Sequence, residues 1–169
     1  MKLLCKSIHT PKKLFNKAIL HGIEFEQKAL SKLEKITKVN VEECGLIIRE
    51  DMPFLAATPD GLCGDKVVEV KCPYKGRNEK ICKNLKFFPY LDQDENGNLI
   101  LRKSHVYYAQ VQGELFISRK KEAIFVIYTF VDFVTIDVQM DDHYCKNILV
   151  PRLRRFFTKY YRPYVASLL

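Results

Sequence analysis

Ala57-Thr58-Pro59-Asp60-Gly61-Leu62-Cys63-Gly64-Asp65-Lys66-Val67-Val68-Glu69-Val70-Lys71-Cys72-Pro73 decides the fold. Leu55-Ala56-Ala57-Thr58 ahead of it is short and mostly apolar, as an approaching strand is. Gly61 and the Gly64-Asp65 pair are turn punctuation. From Lys66 to Cys72 the chain alternates in period two. Val68, Val70 and Cys72 point one way, and Val67, Glu69 and Lys71 the other. Pro73 lacks the N–H that a ladder needs and closes the strand. The stretch reads as a hairpin in which Glu69 and Lys71 share a face and the turn folds Asp60 back against them.

Two carboxylates and a lysine on one spot are costly unless they are paired or bind a metal. Carboxylate oxygens suit Mg²⁺ or Mn²⁺. A lysine beside them can orient or deprotonate a water, or stabilise the developing charge of a phosphate. These are the parts of metal-dependent phosphodiester hydrolysis. A surface hairpin with an ordinary Glu–Lys pair would carry the same residues, so the flanks decide. Pro59-Asp60 followed by Glu69-Val70-Lys71 resembles the core signature of the PD-(D/E)XK nuclease superfamily. The fuller form adds Thr58, Gly61-Leu62 and Cys72-Pro73. It looks like the branch that contains lambda exonuclease and the YqaJ viral recombinase domain.

Upstream, residues 14–37 read as a helix. Ile23, Glu26, Leu30 and Leu33 follow core spacing, with Ile19, Gly22 and Ala29 on the same side. Glu26 thus sits in an apolar stripe, while Glu24 faces the polar side with Gln27 and Lys28. A stripe carboxylate needs a partner, either a lysine or a metal held between Asp60 and Glu69. Gly22-Ile23-Glu24-Phe25-Glu26-Gln27-Lys28-Ala29 is similar to the family's helical Gly-x-x-aromatic-Glu-x-x-Ala pattern, and the resemblance also selects Glu26. Residues 39–49 read as a strand, with a turn at Glu50-Asp51-Met52-Pro53.

Downstream, residues 79–85 suggest a short basic helix, and residues 87–101 a small hairpin about Asn96-Gly97. Phe87, Phe88 and Tyr90 among basic residues can stack bases or cap the core. Residues 105–118 read as a second helix with Val106, Gln110, Gly113 and Ile117 on one face. Gln110 in mid-stripe needs hydrogen-bond partners, from backbone or from a site. Tyr107-Tyr108-Ala109-Gln110-Val111-Gln112-Gly113 resembles the family's Tyr-x-x-Gln-x-Gln helix, which implies a role for Gln110 in holding a water or a phosphate oxygen. Strands follow at 123–130 and 134–138, then helical chain from 141 to 169 with a break expected at Pro151. Leu149, Leu153, Phe156, Phe157, Tyr160 and Tyr161 give that segment a core-facing side, or a face for another subunit.

The chain has 169 residues, 47% hydrophobic and 28% charged, as an ordinary globular domain has. No apolar run reaches membrane-spanning length, and the first residues are too short an apolar stretch for a signal peptide. The expectation is one intracellular domain over 1–169, with residues 1–13 as a flexible arm in which Pro11 breaks any early helix. The six cysteines contain no C-x₂-C pair, which argues for reduced thiols over a zinc site. The formal net charge of +8 fits a polyanionic partner. Lys75, Arg77, Lys80, Lys83 and Lys86 directly follow the hairpin, and clusters at 119–121 and 152–155 add to them.

The resemblance implies an α/β fold of restriction-endonuclease-like core, a central mixed β-sheet flanked by α-helices. It implies a metal site of Asp60, Glu69, Glu26 and the Val70 carbonyl for one or two Mg²⁺ or Mn²⁺ ions. Lys71, Glu69, Asp60 and Gln110 would be catalytic, and Lys75, Arg77, Lys80, Lys83 and Tyr107 would bind nucleic acid. The implied activity is 5′–3′ exonuclease action on double-stranded DNA in recombination, with a single-strand-annealing recombinase and further copies of the chain as partners. Lambda-type exonucleases hold the 5′-phosphate with a basic element ahead of the first helix. No motif here matches it, although Ser7, Lys12 and Lys13 have suitable chemistry. A PD-(D/E)XK endonuclease and an inactive nucleic-acid-binding derivative stay open.

Overall fold

The structure, a computed structural model, describes residues 1–11 and 15–168. Lys12 and Lys13 therefore lie outside the described residues. Helix α1 spans Lys2–His9, and helix α2 spans Lys17–Thr37. Asn16 starts α2 by accepting the Ala18 and Ile19 N–H groups on its side chain at 3.0 and 2.9 Å. Lys38, left-handed at φ 60°, ends it. Short strands follow: β1 (Val41–Glu42), β2 (Ile47–Ile48), β3 (Ala56–Ala57) and β4 (Gly61–Cys63), then the longer β5 (Lys66–Lys71). After them come the hairpin β6 (Leu91–Gln93) and β7 (Leu99–Leu101), helix α3 (Val106–Ser118), β8 (Glu122–Tyr128) and β9 (Phe133–Gln139).

The chain divides into two compact units, Asn16–Met140 and Met1–Phe15 with Asp141–Leu169. The first holds a five-stranded sheet in the order β1-β4-β5-β8-β9. Only β5 and β8 run parallel, Glu69 opposite Phe125, so the sheet is mixed. Parallel neighbours need a crossover connection, and α3 lies within it. Helix α2 covers one face, packing Ala29, Leu30 and Leu33 on Val68, Val70, Ile124 and Val126. Helix α3 packs on the same two central strands. Val67, Ala123, Phe125 and Ile127 are fully buried beneath the opposite face. Burial on both faces suits the apolar runs of β5 and β8.

Several sequence expectations change. The strand expected over 39–49 is two fragments in different sheets, β1 against β4 and β2 against β3, with Glu43-Cys44-Gly45-Leu46 between them. The basic helix expected at 79–85 is a pair of 3₁₀ turns, Ile81–Lys83 and Leu85–Phe87, parted by Asn84. Asp132 holds the Ile81 N–H at 2.9 Å. Ile19 and Ile23, placed on the core side of α2, are 36% and 68% exposed and line a cleft instead.

In the second unit, residues 2–9 form a helix where an arm was expected. Pro11 follows its last turn and so stops the helix without breaking it. The chain also stays helical through Pro151. The wide π turns Cys145–Leu149 and Phe157–Tyr161 precede Val150–Phe156 and Arg162–Ala166, whose first turns carry Pro151 and Pro163. A proline cannot pair with the carbonyl four residues back, and each wide turn contains that residue. Phe156, Phe157, Tyr160 and Tyr161 are half-buried, and Leu153 is exposed. All six cysteines are free, with Cys5, Cys63 and Cys145 buried. No helix among the described residues is long and apolar enough to cross a membrane.

Candidate active site

The β4–β5 hairpin sets the site. Gly64, at φ 59°, opens its two-residue loop, and Cys63 pairs with Lys66 across it. At the far end, Asp60 continues the pairing beyond β4. Its N–H donates to the Val68 carbonyl at 3.1 Å, and its side-chain Oδ2 accepts the Val70 N–H at 2.6 Å. Asp60 is thereby pinned against the strand that carries Glu69 and Lys71. Lys71 Nζ contacts Glu69 Oε1 in an ion pair and lies 4.6 Å from the centre of the Tyr107 ring.

A cleft of about 300 Å³ opens here, lined among others by Ile19, Ile23, Glu26, Asp60, Val70, Lys71 and Tyr107. Glu26 enters from α2. Glu69, only 2% exposed, lies beneath α3. Gln110 Nε2 donates to Glu69 Oε1 at 2.6 Å and to Glu114 Oε1 at 3.0 Å. Glu114 is 4% exposed, and because it and Glu69 accept from the same Gln110 nitrogen, the two carboxyls lie side by side. Glu69 and Glu114 each keep a second oxygen, Oε2, buried without a donor. Two adjoining buried carboxyls satisfy each other only when a proton lies between them.

The electrostatics follow from burial of many acids around one lysine. Burial raises the Asp60 carboxyl, against the pull of the Val70 N–H and Lys71. Burial raises Glu69 too, opposed by Lys71 and aided by Asp60. Glu26 is raised by burial and then by the Asp60 charge. Burial, then Glu69, pushes Glu114 up to about 9. Burial works against the Lys71 charge, but the Glu69 carboxylate outweighs it and holds the ammonium above its usual value. Among the described residues, no three or more His, Cys, Asp and Glu side chains gather closely enough to hold a metal ion between them.

The structure thus brings Asp60, Glu69, Lys71, Gln110 and Tyr107 together, with Glu26 and Val70 on the cleft wall. Gln110 is not in mid-stripe as expected: it is exposed at the helix margin, and the fully buried glutamine is Gln112, which donates to the Gln139 carbonyl at 2.9 Å. Glu114 is the residue that the sequence reading missed. Its i, i+4 spacing from Gln110 places it on the same helix face, but spacing alone does not mark a buried acid. Lys75, Lys80 and Lys83 are exposed beyond the site. Arg77 instead donates to the Tyr74 carbonyl at 2.6 Å and lies over the Tyr74 ring. Ser7 donates to the Leu4 carbonyl within α1.

The fold is that of solved exonucleases. An alkaline exonuclease from Laribacter hongkongensis is 21% identical, with a TM-score of 0.67 over 98% of this chain and 83% of that one. The same enzyme in complex with dAMP superposes with the same score. A phage-related exonuclease from Haemophilus somnus 129PT is 13% identical, with a TM-score of 0.61 over 98% of this chain and 81% of that one. Uncharacterized protein R354 of Acanthamoeba polyphaga mimivirus is 28% identical over 123 residues, 66% of this chain. The match spans only 20% of that relative's length. The YqaJ-like viral recombinase domain matches residues 3–121, and the chain belongs to that family.

Proposed function

We propose that this chain is a metal-dependent deoxyribonuclease, an exonuclease that hydrolyses the phosphodiester bonds of double-stranded DNA. The observation that carries the reading is Asp60 locked by the Val70 N–H beside the Glu69–Lys71 pair. The donor set fits a hard divalent cation in kind. Asp60, Glu69 and Glu26 offer carboxylate oxygens, Val70 a carbonyl, and burial leaves these acids with a single lysine to offset them. When bound, Mg²⁺ or Mn²⁺ would supply Lewis acidity at the phosphate and a more acidic water. Lys71, kept charged by Glu69, orients the attacking water and stabilises negative charge growing on the phosphate. Gln110 holds a water, and Tyr107 and Ile23 border the strand. Lys75, Lys80 and Lys83 contact phosphates without reading sequence, and Arg77 is held against Tyr74. Action from the 5′ end in recombination, beside an annealing recombinase or in a ring of copies, extends the same reading from the family.

The test uses linear and covalently closed duplex DNA with Mg²⁺ or with EDTA. The control is Asp60→Asn, which keeps an oxygen for the Val70 N–H. Loss of linear DNA alone, dependent on metal and on Asp60, is the expected result. Nicking of the closed circle would make the chain an endonuclease. Metal-independent cleavage, or none that depends on Asp60, would overturn the reading.

A further inference from the structure

The Gln110 side-chain amide has two hydrogens on its nitrogen and one acceptor oxygen. Its Nε2 is shared between Glu69 Oε1 at 2.6 Å and Glu114 Oε1 at 3.0 Å. Glu69 and Glu114 are 2% and 4% exposed, while Gln110 itself is exposed. The amide nitrogen is therefore spent on buried acids, and the carbonyl oxygen is what remains for other partners. Without Glu114, only Glu69 would fix the amide, and rotation about its last torsion would be freer. Nothing in the motif that selects Gln110 includes Glu114.

We propose that Glu114 is a positioning residue that locks the Gln110 amide with its nitrogen inward, so that Gln110 acts in the site only as a hydrogen-bond acceptor. This rests on the hydrolytic reading above and refines it. An acceptor can accept a hydrogen bond from the attacking water and hold its lone pair toward phosphorus. It cannot donate to a phosphate oxygen. Gln110 thereby serves the nucleophile, and charge on the phosphate is left to Lys71. Glu114 Oε1 accepts from the amide when the carboxyl is ionised and equally when its proton sits on Oε2, so the lock requires only that Oε1 carry no proton.

Glu114→Gln tests this. The new amide has the same size but can donate to the Gln110 oxygen, so it tolerates either orientation. Two readouts apply. The first is hydrogen exchange of the Gln110 side-chain NH₂, followed by ¹⁵N NMR. It needs no cleavage activity, and its first arm needs no variant. Protected hydrogens in the wild type, with protection lost in Glu114→Gln, are expected. The second is steady-state cleavage, where kcat should fall about tenfold, the cost of one misdirected hydrogen bond, with KM near the wild-type value. Unprotected Gln110 hydrogens in the wild type would overturn the proposal. So would protection that persists in Glu114→Gln, or a wild-type kcat once protection is lost. A wild type that shows protected hydrogens but cleaves nothing would sink the hydrolytic reading, and the amide lock would still be decided by the exchange arm.

Discussion

Cys72 follows Lys71 in the cleft, and burial pushes its thiol up to about 12, with the Glu26 and Asp60 carboxylates adding to the effect. The thiolate is the nucleophile, so a thiol held that high barely reacts near neutrality. Cys82 is exposed. Iodoacetamide at pH 8 is expected to label Cys82 while Cys72 stays unmodified, as read by peptide mass spectrometry. Equal labelling of the two would show that the cleft does not desolvate Cys72. Glu114 gives a second prediction at this scale. Its carboxyl rises from 4.5 to about 9 on folding, so between those values the folded chain keeps a proton that the unfolded chain releases. The contribution to stability is complete below 4.5 and is lost as pH rises toward about 9. One proton supports at most about 1.4 kcal/mol per pH unit. In EDTA, urea midpoints of the wild type should fall from pH 5 to pH 9, and those of Glu114→Gln should fall less. A parallel decline in both proteins would place the titrating group elsewhere.

Helix α2 has two different halves. Its C-terminal half buries Ala29, Leu30 and Leu33 on the sheet, and its N-terminal half lines the cleft with Ile19, Ile23 and Glu26. Leu33→Ala is expected to cost about 2–5 kcal/mol in chemical denaturation. Ile23→Ala, at a 68% exposed position, should stay within about 0.5 kcal/mol. Equal costs would mean that the cleft-lining half is packed as tightly as the other. This division also marks what the sequence could reveal. Periodicity placed Ile23, Glu26, Leu30 and Leu33 on one side, but it cannot tell a side that meets a sheet from one that meets a cleft. In β5 the period-two reading was enough to sort its side chains, but of its two neighbours only β8 was read as a strand: β4 lies at Gly61–Cys63, where a turn was expected, and the strand expected at 55–58 pairs with β2 instead. In α3 the period misled. Buried residues from Tyr108 through Ile117 surround most of the helix, so no single face stands out, and Gln110 was set in a stripe that Gln112 comes closer to occupying. Glu114 was illegible for a simpler reason. A glutamate in a helix belongs at the surface unless a partner is seen, and its partner Glu69 is distant in sequence.

Across the whole chain the formal net charge is +8, but the positive groups are not equally free to meet a polyanion. Lys120 pairs with Asp65 at 2.7 Å, Arg119 with Asp51 at 3.4 Å, and Lys66 with both Glu122 and Asp137. Lys75, Lys80 and Lys83 are exposed beyond the cleft, and on the proposed reading they are the better phosphate contacts. Each lysine that releases a counterion on binding contributes about 0.9 to the slope of log K against log salt. Duplex binding by the Asp60→Asn protein, measured in EDTA between low and moderate salt, isolates that slope from cleavage. Replacing Lys75, Lys80 and Lys83 together by glutamine should flatten it by about 0.9 for each lysine in contact and weaken binding alike for all sequences. Lys120→Gln should move it less, since that ammonium already has a carboxylate partner. A triple variant with the wild-type slope would take the DNA away from this face, and the remaining basic clusters would then have to supply the phosphate contacts.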